Sequence, residues 1–145
     1  MLLVFMASCD GPMGPQGPAG EGMQWDVAEF EIRPQDWHLE GELDDLGSYY
    51  YYTFEYKKLT KDVFQIGTVD GYRYTDGKKQ VQVALPFVSS KYYFDDNGVE
   101  QFYNETHDFE YEPGYITFYL TYSDFYTSKD REPKESFFYR IVLNW

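Results

Sequence analysis

Cys9 is the residue best placed for chemistry, and it is the only cysteine in the 145-residue chain. It follows an apolar run, Leu2-Leu3-Val4-Phe5-Met6, and the small pair Ala7-Ser8. A lone cysteine forms no internal disulfide, and its thiolate is a nucleophile able to take up a lipid. The apolar run is far shorter than the ~20 residues that cross a bilayer. It has the form of the end of a signal-peptide core leading into a small-residue cleavage site, so residues 1–8 are expected to be a signal-peptide remnant. No Lys or Arg precedes the run, which places the expected basic segment upstream of Met1.

The remaining reactive groups are scattered. His38 lies next to Trp37 and near Glu40, and His107 lies next to Asp108 and near Glu105. Neither has the spacing of a zinc site, so no metal ligands and no cofactor are expected. Asp95-Asp96-Asn97-Gly98 is too short to supply the oxygens of a calcium loop and is expected to be a hairpin turn. Asp44-Asp45 is expected in a solvated loop. Ser89, Ser90 and Ser123 pair with a histidine only on paper, since no nucleophile-elbow pattern surrounds them. Carboxylates are so frequent that some pair always lies close to another, and no glycosidase pair is assigned. The expected chain therefore has no catalytic residues. The ligand-binding candidates are Tyr49 and Tyr51. In the run Tyr49-Tyr50-Tyr51-Tyr52-Thr53-Phe54-Glu55-Tyr56, period-two alternation puts Tyr50, Tyr52, Phe54 and Tyr56 on one face. Tyr49 and Tyr51 share the other face with Thr53 and Glu55, as an aromatic patch able to stack on sugar rings.

These groups must be positioned by a domain whose composition is unusual. The chain has 16 Tyr, 12 Phe and 3 Trp, residues that favour strands and bury large areas. With 12 Lys and Arg against 25 Asp and Glu, the net charge is −13. Phosphate backbones carry the same sign, so no nucleic-acid partner is expected. Anionic lipid headgroups would repel the domain as well.

After Cys9 the chain enters a tail of triplets, Gly11-Pro12-Met13, Gly14-Pro15-Gln16, Gly17-Pro18-Ala19 and Gly20-Glu21-Gly22. Glycine at every third place is the requirement of a collagen helix. So few triplets are better suited to an extended polyproline II spacer, which at about 3.1 Å per residue reaches roughly 35–40 Å. A trimeric stalk is the alternative. Residues 9–23 are thus expected to form a lipid-anchored spacer and residues 24–145 a single folded domain.

Within that domain the pattern is one of short strands. Residues 25–32 form a first strand ended by Pro34, with Trp37 packing inward from a short continuation or turn. Residues 41–48 form a loop, and residues 49–56 the tyrosine strand. Thr60 is placed to cap a short helical turn, with Asp62 near its positive end and Gly67 ending it. Residues 68–75 are extended, and Asp76-Gly77 signals a tight hairpin. Residues 79–88 then give the cleanest alternation, with Val81, Val83, Leu85 and Phe87 on one face and Pro86 marking an edge or bulge. Short strands follow at residues 92–94, 99–103 and 107–111. Pro113-Gly114 turns the chain into residues 115–122, where Ile116, Phe118, Leu120 and Tyr122 align. After a polar connection the last strand, residues 137–145, aligns Phe137, Tyr139, Ile141, Leu143 and Trp145 and should be paired into a sheet. Eight or nine short antiparallel strands point to an all-β domain, an antiparallel β-sandwich first and a closed barrel second.

Met6-Ala7-Ser8-Cys9 resembles the lipobox of bacterial lipoproteins. That resemblance implies a diacylglyceryl thioether on Cys9, cleavage before it, and acylation of the new amino group. The whole chain resembles small secreted lipoproteins of gut-dwelling and oral Gram-negative anaerobes, which carry a lipobox, a Gly-Pro-x spacer and one β-rich domain of uncharacterised function. The matching residues are Cys9, the spacer, Trp37, Leu59-Thr60-Lys61-Asp62-Val63-Phe64 with Gly67 and Val69, Ala84-Leu85-Pro86-Phe87, and Tyr139-Arg140-Ile141-Val142-Leu143. The resemblance implies a cell-envelope location, anchored by lipid to the outer membrane, on its periplasmic or outer side. It implies no catalytic residues. The expected function is a membrane-tethered, non-catalytic module that binds an envelope protein or a glycan. Assembly through strand edges or through the collagen-like tail is the structural alternative, and a hydrolase of polysaccharide or peptide is the third.

Overall fold

The computed structural model describes residues 22–145. The lipobox reading of Cys9 and the Gly-Pro spacer lie outside the described residues. The domain is all-β, in two antiparallel sheets. The first has the order β1 (Trp25–Ile32), β9 (Phe137–Asn144), β4 (Thr68–Tyr74), β5 (Gln82–Ala84). The second has the order β2 (His38–Glu40), β3 (Tyr49–Glu55), β8 (Tyr115–Tyr122), β7 (Glu100–Glu112), β6 (Phe87–Phe94). The single α-helix among the described residues, α1 (Lys61–Ile66), leads into β4.

Two strands with strictly alternating burial lie inside the sheets. β9 runs between β1 and β4 and buries Phe137, Tyr139, Ile141 and Leu143. β8 runs between β3 and β7 and buries Ile116, Phe118, Leu120 and Tyr122. These inner faces pack against each other in a sandwich-like arrangement. Phe118 stacks on Tyr139 at 4.3 Å between ring centroids, and Phe30 of β1 reaches Phe54 at 4.7 Å and Phe118 at 5.7 Å. Aromatic pairs of this kind add roughly 0.5–1.5 kcal/mol each beyond the area they bury. The C-terminal strand is paired on both sides, and Gln24 and Trp145 exchange backbone bonds of 2.8 and 3.0 Å beyond the end of β1.

The short helix forms as its local chemistry dictates. The Thr60 hydroxyl accepts from the Val63 N–H at 3.2 Å, Asp62 sits in the first turn, and Val63 faces the core. Gly67 ends the helix, as expected, and close packing makes it glycine. Its φ is −90°, and a Cβ there would lie 2.6 Å from the Asn144 carbonyl oxygen and 2.7 Å from that of Val63.

Three expectations need correction. Residues 79–88 are not one strand. Pro86 has no N–H to continue a ladder, the Leu85-Pro86 bond is cis, and the two halves belong to different sheets as β5 and β6. Asp76-Gly77 does not make a tight hairpin. The Asp76 carboxylate accepts from the N–H groups of Gln80 and Val81, both at 2.9 Å, so the strand resumes only at Gln82. Finally, residues 99–103 and 107–111 belong to one 13-residue strand, β7. Its first half pairs only with β6, so the β6–β7 ribbon projects past the end of β8.

Candidate functional site

The outer face of the five-stranded sheet follows from the register. β3 pairs with β8 so that Tyr51 opposes Tyr119, and β2 pairs with β3 so that His38 opposes Tyr51. Tyr50, Phe118 and Leu120 point to the core, so their sequence neighbours Tyr49, Tyr51 and Tyr119 point outward. The resulting patch is contiguous. Ring centroids are 5.5 Å apart for His38 and Tyr51, 6.3 Å for Tyr49 and Tyr51, and 5.9 Å for Tyr49 and Tyr119. The three tyrosines are half-buried and His38 is exposed at their edge.

Polar groups edge this platform. Asp108 opposes Tyr119 on β7, Glu110 opposes Thr117, and Glu40 opposes Tyr49. The Tyr119 hydroxyl donates to Glu110, and burial followed by that bond pushes the Tyr119 phenol well above its ordinary value. Thr53 and Thr117 bond to each other at 2.9 Å across β3 and β8 on the same face. The arrangement offers apolar ring faces bordered by carboxylate acceptors and hydroxyls. That combination suits a ligand with an apolar C–H face and hydroxyls around its edge. Sequence alternation puts Tyr49 and Tyr51 on the face away from Tyr50, as the structure has them, but does not bring Tyr119 and His38 beside them. Tyr119 is legible only as the outward alternate of β8, and nothing in the sequence says that β8 lies beside β3.

About 20 Å along β7, at roughly 3.4 Å per residue, the same outer face carries a second aromatic group. Tyr92 and Phe94 on β6 and Phe102 on β7 are 62%, 64% and 71% exposed on the projecting ribbon, with Tyr92 directly opposite Phe102. The inner side of this ribbon is tied down instead. The Arg131 guanidinium stacks on Tyr103 at 4.0 Å and donates to Asp124 at 2.8 Å and to the Tyr126 carbonyl at 2.9 Å.

The two histidines are brought to opposite sides of the sheet. His38 is on the outer face, whereas His107 is wholly inaccessible in the core. His107 Nε2 lies 3.2 Å from Glu105 Oε1 and Nδ1 lies 2.7 Å from the Tyr139 hydroxyl. An ionised carboxylate only accepts, so Nε2 carries the proton and Nδ1 accepts from the tyrosine. Burial pushes the His107 pKa below its usual value. For Glu105 burial works the other way, but the His107 bond and the charges of Lys91 and Arg73 outweigh it and hold the carboxyl low. Both ring nitrogens are thus occupied, and Ser89, Ser90 and Ser123 make no bond to His107. Ser90 bonds Asn104 at 3.0 Å, and the Ser123 hydroxyl accepts from the Asn104 N–H at 2.9 Å.

The acidic turns have partners within the domain. Asp95 accepts from the N–H groups of Asn97 and Val99, each at 2.9 Å, and Asp44 accepts from the Tyr126 hydroxyl at 2.8 Å. Among the described residues no group of three or more His, Cys, Asp or Glu side chains is placed to hold a metal ion. No helix among them is long and apolar enough to cross a membrane. Comparison with protein-family models, with curated proteins and with solved structures finds no match to this chain.

Proposed function

We propose that the protein is a non-catalytic, glycan-binding envelope module, tethered to the membrane by a lipid on Cys9. The observation that carries this reading is the ring platform of Tyr49, Tyr51 and Tyr119, with His38 at its edge and carboxylates around it. The rings are tilted by 38–54° to one another, and an aromatic face of this kind bordered by acceptors is matched to a pyranose ring, whose C–H groups stack on single rings and whose hydroxyls donate. The finer architecture that goes with this function is a β-sandwich carrying the site on one outer sheet face, held from the membrane by a collagen-like spacer.

The net charge of −13 favours neutral polysaccharides over polyanionic ones as ligands of that face. The test is retardation of the folded domain in native gels that contain neutral polysaccharides, for wild type and for the pair Tyr51→Ala and Tyr119→Ala. A bound wild type and an unretarded double variant with an unchanged melting temperature are expected. Because stacking rings carry about 0.5–1.5 kcal/mol each, the pair should lower affinity roughly tenfold or more. Equal retardation of both proteins would rule the face out as the site.

A further inference from the structure

We propose that a cleft on the other side of the five-stranded sheet binds a carboxylate, with the Arg73 guanidinium as its anchor. The cleft has a volume of about 400 Å³, at the small end of ligand sites. Arg73 of β4, Tyr103 and Glu105 of β7, Tyr122 of β8 and Phe137 of β9 form its wall, and residues 130–135 form its rim. Its residues belong to the inner faces of the sheets, so its occupancy is independent of the tyrosine platform.

The geometry of Arg73 carries the inference. Its guanidinium lies 4.8 Å from the ring centroid of Phe137 and 5.3 Å from that of Phe87. The two rings hold the guanidinium by its π-face contacts and leave its hydrogen-bonding edge for another partner. Among the described residues that partner is missing. The other three arginines are bonded, Arg33 to Asp36, Arg131 to Asp124 and Arg140 to Gln82. Arg73 makes no hydrogen bond or ion pair there; its Nε is unpartnered and closed to solvent, so the edge open to a ligand is that of the two terminal nitrogens. Glu105 lines the same cleft and feels the Arg73 charge through space, but no acid makes a direct hydrogen bond or ion pair with the guanidinium among the described residues. A guanidinium fork is satisfied best by a planar carboxylate.

The surroundings narrow the ligand further. Lys91 at the mouth lies 3.7 Å from Glu105 Oε1, and Arg131 and Lys134 also line the cleft, so four cationic side chains face it. Glu105 is fixed from behind by His107 at 3.2 Å and presents its carboxylate to the same cleft. Asp130, Glu132 and Glu135 stand on the rim. The four acids balance the four cations Arg73, Lys91, Arg131 and Lys134, and a cleft without net charge suits a single carboxylate, whose hydroxyls or ammonium group can reach the acids, better than a doubly charged phosphate. The ligand class is therefore a small hydroxy or amino carboxylate, either free or at a uronate unit of a polymer.

The experiment is calorimetric titration of the folded domain with sodium glucuronate, acetate, inorganic phosphate and an oligogalacturonate, for wild type, Arg73→Gln and Lys91→Gln. Saturable binding of glucuronate is expected, displaced by acetate and weaker for phosphate. Loss of a charge-assisted pair at Arg73 should reduce affinity about tenfold or more. Lys91 is at the half-exposed mouth, so Lys91→Gln supplies a folded variant even if Arg73→Gln loses stability, and it should bind several-fold more weakly. Tighter binding of the oligomer than of the monomer assigns the carboxylate to a polymer, and equal binding assigns it to a free acid. Absence of saturable carboxylate binding by the wild type, unchanged affinity in both variants, or tighter binding of phosphate would overturn the proposal.

Discussion

Mild acid should destabilise the domain through His107. The side chain is fully buried, and protonation would place a second N–H on the ring where Nδ1 now accepts from Tyr139. Burial lowers the folded-state pKa below the ordinary value of 6.5, with Arg73 and Lys91 acting in the same direction and Glu105 opposing. As pH falls through 6.5 the unfolded chain takes up a proton that the folded chain still refuses. Stability is therefore fully present above that pH and declines below it. The ceiling for one excluded proton, between about pH 7.5 and 5.5, is about 1.4 kcal/mol. For a domain of this size that is a fall in melting temperature of roughly 3–6 °C. Thermal or urea melts across that range at constant ionic strength measure it. The His107→Gln variant should lose the dependence whatever its absolute stability, and His38→Gln, on the exposed outer edge, should keep it. A His107→Gln protein with the wild-type pH dependence would refute the reasoning.

Other perturbations have equally definite outcomes. Gly71→Ala should cost about 1–3 kcal/mol in denaturant melts, because a Cβ there would lie 2.4 Å from the ring of Phe109 on the opposite sheet. Radiolabelled palmitate should be incorporated by the wild-type protein in its native host and not by Cys9→Ala. A full-length wild-type protein without label would sink the lipid-anchor reading.

The parts of this fold that were legible in the sequence are those set by local chemistry. Strict alternation in residues 115–122 and 137–145 marked β8 and β9, and a hydroxyl before an acidic first turn marked α1 at Thr60. The same alternation separated Tyr49 and Tyr51 from the core-facing Tyr50. Alternation reports which side chains share a face but is silent on which sheet a strand joins. That is why residues 79–88 look continuous although Pro86 divides them between two sheets. The platform suffered from the same silence, since Tyr119 joins Tyr51 only through the pairing of β3 with β8. The cleft was invisible for a related reason. Arg73, Phe87 and Phe137 are far apart in sequence and meet only when β4, β6 and β9 converge. Gly71 carried no turn signal, because its role is to admit a ring from the facing sheet.

Whether ligand binds on the outer tyrosine face is decided by hydroxyl-radical footprinting with mass spectrometry. The domain would be oxidised with and without the polysaccharide that retards it most. Protection is expected at Tyr49, Tyr51 and Tyr119, with Tyr92, Phe94 and Phe102 on the ribbon unchanged. Protection confined to the ribbon, or no tyrosine protected on the outer face, would contradict binding on the tyrosine face.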